Sequence, residues 1–143
     1  MTRGKTLACY TDGASRGNPG PAAAAYLVVD GEGGVVESHS TFLGVKTNNE
    51  AEYHAVIAAL SAAGKHGAGN VRVYSDSALV VRQLRGEYRV HEPRLRALHA
   101  EVRLLERPFA EVEYVHVARD NPWIRLADRM CNETLDGVPP RGK

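Results

Sequence analysis

Hydrophobic and β-branched residues are concentrated in three short runs near the start of the chain. The runs at 5–12, 22–30 and 35–44 predict strands, because β-branched and aromatic residues suit a pleated sheet, and the third run also shows a loose alternation of apolar and polar positions. The connection at 13–21 is rich in Gly, Asn and Pro, and residues 31–34 read GEGG. Such short connections predict that the three strands are antiparallel neighbours.

The remainder of the chain alternates between helical and strand-like patterns. Apolar residues three and four positions apart predict helices at 47–67, 77–86, 94–106 and about 124–135, and β-branched runs predict strands at 71–76 and 110–118. The order β-β-β-α-β-α-α-β-α predicts an α/β fold, a mixed sheet with helices packed over it. We expect one domain over 1–143, with a core at about 5–136 and a flexible tail at 137–143.

Composition narrows the function classes. No apolar run approaches the roughly 18 residues of a membrane span, and the polar start MTRGKT lacks a signal-peptide core. We therefore expect a cytoplasmic monomer with no membrane partner. Cys9 and Cys131 both lie in predicted regular elements, which favours buried free thiols over a disulfide. Without a CxxC pair, and with scattered histidines, zinc has little support, so oxygen atoms would hold any metal.

Charge by itself does not identify a partner. The net charge is +1 and the pI is about 7.9, which is far from the strongly basic balance of many nucleic-acid-binding domains. Between residues 82 and 107, however, the chain carries seven arginines and four glutamates. This stretch can form a basic surface or a solvated pair of helices with mixed charges, and its composition leaves both possibilities open.

Three acidic residues fall at the ends of predicted elements. Asp12 ends the first strand, Glu52 lies in the first turns of the long helix, and Asp76 ends the fourth strand. Strand ends open into loops that form sites. Each acid also has a structural alternative, namely a turn, a helix-dipole contact and a helix cap, respectively. The repeated pattern YTDG and YSDS favours a site, since neither a turn nor a cap requires it.

Three segments carry a family resemblance: YTDGASRGNPGP at 10–21, TNNEAEYHAVIAAL at 47–60 and YSDSALVVRQLRGEY at 74–88. They resemble ribonuclease H of type 1, and the resemblance extends in order from about Leu7 to Leu135. It implies the ribonuclease H-like fold, a five-stranded mixed sheet in the order 3-2-1-4-5 flanked by helices. It also implies an endonuclease that hydrolyses the RNA strand of RNA·DNA hybrids and leaves 5′-phosphate and 3′-hydroxyl ends.

The resemblance assigns metal ligands and catalytic residues. The family's four acids fall on Asp12, Glu52, Asp76 and Asp128. Carboxylates are hard oxygen ligands of the kind that Mg²⁺ or Mn²⁺ prefers. With substrate bound, two such ions would clamp the scissile phosphate. Glu50 precedes Glu52 by two residues and so lies on a different helix face, where we expect no part in the site.

The family's substrate contacts fall in the first loop and at the start of the long helix. Asn18, Asn48 and Asn49 match positions that hydrogen-bond the two strands of the hybrid. Gly13 would allow the backbone to approach the RNA 2′-hydroxyl, the group that distinguishes RNA from DNA. Thr47 is a candidate for binding a DNA phosphate, and its alternative role is helix capping.

Three departures from the best-known bacterial form affect the assignment: the basic protrusion is absent, Ala78 stands where that form has an amide side chain, and Arg119 and Asp120 stand in the turn where that form has a histidine. The long basic protrusion after the second helix is absent, as in the shorter variants of archaea and many bacteria. We expect this chain to bind the hybrid more weakly or through different contacts, because phosphate contacts supply most non-specific affinity. Arg119 resembles the arginine of these variants and would act near the scissile phosphate. The spacing from Arg119 to Asp128 is longer than in the pattern VxRxxNxxAD, which makes Asp120 a competing fourth acid. Asp128 is preferred because Asn132 and Leu135 after it match the family's closing helix.

Two other functions remain to be distinguished. One is a hybrid-binding module with weak or no catalysis, which would result if the fourth ligand were not delivered. The other is a different nuclease of the same fold, such as an exonuclease or an integrase, acting on DNA. The GNPG and TNN motifs argue against the second alternative.

Overall fold

Nine secondary-structure elements follow one another along residues 4–137, the part of the chain that this computed structural model describes. The strands are β1 (Lys5–Ser15), β2 (Gly20–Val29), β3 (Val35–Lys46), β4 (Ala68–Ser75) and β5 (Glu111–His116). The helices are α1 (Asn48–Lys65), α2 (Ala78–Leu84), α3 (Pro93–Glu106) and α4 (Pro122–Asp136). The predicted order of elements is confirmed. The expected tail lies outside the described residues from 138 onward.

The strands form one sheet in the order β3-β2-β1-β4-β5. The β1–β2 and β2–β3 pairs are antiparallel, whereas the β1–β4 and β4–β5 pairs are parallel. Neighbouring residues of β2 take part in two different cores: Val28 packs with residues of α1, α2 and α3, and Leu27 packs with residues of α4. The helices therefore cover opposite faces of a mixed sheet, as the fold prediction requires.

None of the helices between residues 4 and 137 is both long and apolar enough to span a membrane. The cytoplasmic location, the monomeric state and the single-domain boundary stay predictions.

The start of α1 is held by reciprocal hydrogen bonds. The Thr47 hydroxyl accepts from the Glu50 backbone N–H at 3.1 Å, and Glu50 Oε1 accepts from the Thr47 backbone N–H at 2.8 Å. This capping box satisfies two amide groups that the first helical turn leaves without partners. Glu50 thus has a structural role, in agreement with its exclusion from the site. Thr47 is the cap that was considered as its alternative role.

The first strand is longer than predicted. Its pairing with β2 continues from Asp12↔Ala25 to Ser15↔Ala22, and the Arg16 backbone N–H donates to Pro21 O at 2.8 Å. The predicted loop at 13–21 is therefore wrong, and the connection is confined to 16–19. The Asp-Gly pair resembles a turn by local propensity, but the ladder of β1 and β2 hydrogen bonds overrides that preference.

Side chains in the arginine-rich stretch and both thiols have internal partners. Arg85 Nε donates to Tyr114 O at 2.8 Å, and Arg103 donates to Leu84 O at 2.6 Å. These arginines help to pack the helices, and their ion pairs with Glu87 and Glu106 show mixed charges in this part of the stretch. Cys9 and Cys131 are buried free thiols, as predicted. Burial raises the pKa of Cys9 to about 12.

Glu37 of β3 joins three elements far from the acidic cluster. It accepts a hydrogen bond from the Tyr26 hydroxyl of β2 and pairs with His66 Nε2, after α1, at 2.8 Å. Hydrogen bonds from Tyr26 and His66 lower the pKa of Glu37. Because the pKa is lower in the folded state than in the unfolded state, the ionised carboxylate stabilises the fold at neutral pH, and this stabilisation is lost as the pH falls.

We expect Glu37→Gln to reduce the free energy of unfolding by about 1 kcal/mol at pH 7, a value limited by solvent screening. The Glu37 side chain is 33% exposed, so a larger effect is not expected. The difference from wild type should shrink as the pH falls from the ordinary glutamate pKa of about 4.3 through the lower pKa that Glu37 has in the folded protein. Urea unfolding of both proteins at pH 7 and at a pH below the folded-state pKa of Glu37 measures this difference in the free energy of unfolding. An equal loss at both values would contradict the charge-based account.

Candidate active site

Three acidic side chains meet at one edge of the parallel strands. Asp12 of β1, Glu52 of α1 and Asp76, directly after β4, each place a carboxylate oxygen within 4.8 Å of the others. The parallel strands are paired in register at Tyr10↔Tyr74. Asp12 and Asp76 each follow two residues later, so they lie side by side. The repeated pattern in YTDG and YSDS is thus explained by two parallel strands in matching register.

The placement of Glu52 depends on a close approach between β1 and α1. The Gly13 backbone N–H donates to Glu52 Oε1 at 3.1 Å. A Cβ atom at Gly13 would lie 2.2 Å from the Ala51 carbonyl carbon and 2.3 Å from the Glu52 backbone nitrogen. Only glycine therefore allows the helix to lie this close to the strand. This contact of Gly13, for which only a substrate role is predicted from the sequence, has no local signal, because an Asp-Gly pair by itself is typical of a turn.

Asp76 and Glu52 do not have the purely structural roles, a helix cap and a helix-dipole contact, that were the alternatives to a site. Ser77, rather than Asp76, caps α2 by accepting from the Val80 backbone N–H. Glu52 lies among the buried residues of α1 and faces the acids of the sheet. Neither carboxylate is explained as a cap or as a solvated charge at a helix end.

The cluster is electrostatically costly without a cation. Asp12 and Glu52 are each only 6% exposed. Burial, followed by the charges of Asp76 and Asp128, raises the pKa of Asp12 to about 8. Burial and the charges of Asp12 and Asp76 also raise the pKa of Glu52 well above its ordinary value. Within residues 4–137, the buried Asp12 Oδ2 has no hydrogen-bond partner. Converging hard oxygen donors with such an unsatisfied atom fit a divalent cation such as Mg²⁺ or Mn²⁺.

Both candidates for the fourth acid line the same cleft. The cleft measures about 660 Å³ and contains the three clustered acids together with Asp120 and Asp128. Asp128 lies on α4, its charge acts on Asp12, and the Asn132 amide donates to its main-chain oxygen at 3.1 Å. Asp120 is an exposed residue of the turn before α4. Asp128 is not one of the three acids whose oxygens lie within 4.8 Å of one another, but its effect on the pKa of Asp12 favours it over Asp120.

Arg119 lies at the rim of this cleft. Its Nε is 3.7 Å from Asp76 Oδ2, and its side chain is 94% exposed. It therefore presents a cation to solvent beside the acids. Arg125 and Ile124 also line the cleft, and the sequence analysis missed both. Arg125 precedes Asp128 by three residues, so helical spacing alone was a usable signal for it.

The side chains of Asn18 and Asn48, two of the predicted substrate contacts, link the loop after β1 to the start of α1. Asn18 Oδ1 accepts from the Asn48 backbone N–H at 2.9 Å, and Asn48 Oδ1 accepts from the Ser15 backbone N–H at 3.1 Å. A backbone N–H can only donate, so the receiving atoms must be the amide oxygens. The side-chain NH₂ groups are then left as donors. Asn48 lines the acidic cleft, whereas Asn49 lines a neighbouring cavity of about 590 Å³ together with Tyr88.

Comparisons with known proteins agree with this geometry. A family profile described as reverse transcriptase-like matches residues 10–134. The chain is 42% identical to ribonuclease HI of Halobacterium salinarum over 134 residues, which is 94% of this chain and 66% of that protein. The chain belongs to the type 1 ribonuclease H family. The family resemblance inferred from the motifs is therefore confirmed.

Solved ribonuclease H structures share the fold. RNase H1 from the halophilic archaeon Halobacterium salinarum matches with a TM-score of 0.88 and 41% identity, over 93% of this chain and 99% of that one. LC11-RNase H1, solved in complex with an RNA/DNA hybrid, matches with a TM-score of 0.84 and 36% identity, over 91% and 96% of the two chains. The predicted ribonuclease H-like fold and strand order are confirmed.

Proposed function

We propose that this protein is an endonuclease that hydrolyses the RNA strand of RNA·DNA hybrids and requires a divalent metal. The observation that carries the proposal is the convergence of Asp12, Glu52 and Asp76 within 4.8 Å of one another. Support also comes from the ribonuclease HI of Halobacterium salinarum and from LC11-RNase H1, whose structure contains an RNA/DNA hybrid.

The four carboxylates, including Asp128, would hold two Mg²⁺ or Mn²⁺ ions together with substrate. Held by these carboxylates, the ions would supply an activated water for in-line attack and stabilisation of the leaving 3′ oxygen, chemistry that would give 5′-phosphate and 3′-hydroxyl ends. The chain's own hydroxyls beside Asp76 are already engaged: Ser75 Oγ accepts from the Ser77 backbone N–H, and Ser77 Oγ accepts from the Val80 backbone N–H. This agrees with a reaction that uses no side-chain nucleophile.

Polar groups around the cleft would bind the hybrid. The amide NH₂ groups of Asn18 and Asn48 donate to no group within residues 4–137. They match the acceptor atoms that bases present in the minor groove, and they can also donate to a 2′-hydroxyl. Arg119 would meet the scissile phosphate from the rim. We further assign Asn49 and Thr47 to contacts with the hybrid. The sugar-phosphate backbone of the substrate would lie beside Gly13, which also lines the cleft.

The function is tested with a labelled RNA·DNA hybrid, single-stranded RNA and a DNA duplex, each in Mg²⁺ and in Mn²⁺. We expect cleavage of the RNA strand of the hybrid alone. If the hybrid is cleaved in neither metal, the proposed endonuclease activity is contradicted. The alternative is then a hybrid-binding module, whose binding a gel-shift titration would detect. Cleavage of the DNA duplex would instead indicate another nuclease of this fold.

The fourth ligand is tested by comparing Asp128→Asn with Asp120→Asn. We expect Asp128→Asn to lower kcat/KM roughly 10- to 100-fold, because it removes an oxygen donor beside Asp12. Asp120→Asn should stay within about threefold of wild type, since this residue is an exposed part of a turn. Loss of cleavage in the Asp120 variant alone would reverse the assignment while leaving the fold and reaction intact.

A further inference from the structure

Three half-buried aromatic residues lie beside the acidic cluster. The Tyr10 and Tyr74 rings are stacked, with centroids 4.7 Å apart and planes 10° apart. The Trp123 ring lies 5.8 Å from the Tyr10 ring at a tilt of 35°. We call Tyr10, Tyr74 and Trp123 the aromatic cluster. Its members belong to β1, β4 and α4, and each of these elements also carries or immediately precedes one of the proposed metal ligands.

The stack between Tyr10 and Tyr74 occurs at the last residue pair of the β1–β4 ladder. Asp12 and Asp76 lie beyond this pair, so no further backbone pairing between the two strands sets their separation. The Thr11 hydroxyl, which donates to Tyr74 O at 3.2 Å, adds one more link at the same level. Flat stacking of two rings restricts both lateral and rotational movement of the strand ends. The spacing of the two aspartates is therefore set by contacts immediately before them.

Trp123 connects this stack to the helix that carries Asp128. It lies in the first turn of α4, where Asn121 Oδ1 accepts from the Trp123 backbone N–H at 2.9 Å. The first turn is thus anchored by a cap on one side and by the Tyr10 ring on the other. Asp128 follows five residues later, about 7.5 Å along a rigid helix axis. A shift of the Trp123 contact would be transmitted to Asp128.

We propose that the aromatic cluster is a positioning device that sets the mutual placement of Asp12, Asp76 and Asp128 for divalent-cation binding. This inference rests on the proposed function, because it assumes that these acids bind metal. The aromatic residues act through the acids and do not themselves contact substrate. Groups that orient metal ligands typically change metal affinity or activity by about 10- to 100-fold when they are removed, whereas simple packing residues change stability alone.

The test is metal binding by variants of Tyr74, measured by calorimetric titration with Mn²⁺ and by hybrid cleavage. Tyr74→Leu removes the stacking ring and should raise the Kd for Mn²⁺ by about tenfold. It should also lower kcat at a fixed metal concentration by about 10- to 100-fold, with KM for the hybrid within about twofold of wild type. Tyr74→Phe keeps the ring and should bind Mn²⁺ with nearly the wild-type Kd.

Val102→Ala is the matched control. Val102 is fully buried in α3, outside the acidic cleft, so this variant loses stability without touching the aromatic cluster. We expect it to lower the melting temperature and leave the Kd for Mn²⁺ unchanged. A Tyr74→Leu protein that is folded, has lost stability and yet keeps the wild-type Kd would overturn the proposal.

Three further results can be told apart. If Tyr74→Leu does not fold, Trp123→Leu is used in its place, and the Kd for Mn²⁺ should rise by about tenfold. A folded Trp123→Leu protein that has lost stability and yet keeps the wild-type Kd would overturn the proposal. A wild type that binds Mn²⁺ without cleaving the hybrid would contradict the proposed function, while the Kd series would still decide the role of the aromatic cluster. A wild type that binds no Mn²⁺ would overturn both proposals.

Discussion

Asp12→Asn is expected to reduce cleavage of the hybrid by at least about 10³-fold, because stabilisation by metal ions contributes several kcal/mol and each 1.4 kcal/mol changes a rate tenfold. Asp12 is the centre of the cluster: its pKa responds to both Asp76 and Asp128, and its Oδ2 is buried without a partner among the described residues. An amide nitrogen in that place cannot act as an anionic ligand. Steady-state kinetics in Mg²⁺ and Mn²⁺ measure the loss.

The same variant should be more stable than wild type when metal is absent. The pKa of Asp12 is raised to about 8 in the folded protein, so its ionisation opposes folding. This penalty is absent below about pH 4, grows as the pH rises, and is complete above the folded-state pKa. An uncharged Asn removes the penalty. In a metal chelator at pH 8, the melting temperature should therefore rise by at least about 4 °C, which corresponds to roughly 1 kcal/mol.

Asp30→Asn provides the matched control for this exchange. Asp30 Oδ1 accepts from the backbone N–H groups of Glu32 and Gly34 at 3.0 and 2.9 Å, in the turn between β2 and β3. Hydrogen bonds from Gly34 and Glu32 lower the pKa of Asp30, so losing its charge should destabilise the protein slightly and leave cleavage unchanged. Full activity of Asp12→Asn, or an equal response of both variants, would refute the central role of Asp12.

Gly13→Ala is expected to destabilise the protein by about 3 kcal/mol or more, at the upper end of the range for overpacked sites. The added methyl group would meet the Ala51 carbonyl carbon at 2.2 Å and the Glu52 nitrogen at 2.3 Å. Both are backbone atoms, so no side chain can move aside, and β1 and α1 must separate. That separation also moves Glu52 away from Asp12. Cleavage should therefore fall even at temperatures where the variant remains folded.

The control for this substitution is Gly31→Ala, in the turn between β2 and β3. A Cβ atom at Gly31 would have no atom within 4 Å, so its effect should stay within about 0.5 kcal/mol. Urea unfolding of both variants, followed by kinetics at 10 °C below each melting temperature, separates stability from placement of the acids. A Gly13→Ala protein as stable and active as Gly31→Ala would show that the close approach of β1 and α1 is not required.

Local patterns along the chain were sufficient to predict most of the fold. Runs of β-favouring residues and helical spacings predicted the strands and helices of residues 4–137 in the right order, because both patterns reflect which residues of each element are buried. They failed where a long-range ladder overrode local propensity. Asp12 and Gly13 look like the start of a turn, yet pairing with β2 extends the strand to Ser15.

The acids were predicted unequally for a similar reason. Asp12, Glu52 and Asp76 lie in distinctive motifs, and the structure brings their carboxylates together. The choice between Asp128 and Asp120 had no such local signal, since both lie in one stretch of unusual spacing. Their relation to Asp12 depends on how α4 packs on the sheet more than a hundred residues away.

The sequence by itself therefore determined the order of elements, the family and three of the acids, because each depends on residues close together along the chain. Tertiary structure alone decided how closely β1 approaches α1 at Gly13, that Asp120 and Asp128 both line the cleft of Asp12, and that aromatic rings join the elements carrying the acids. These features depend on packing between elements distant in sequence. The fit between two packed surfaces depends on both of them, so it cannot be read from the residues of either one alone.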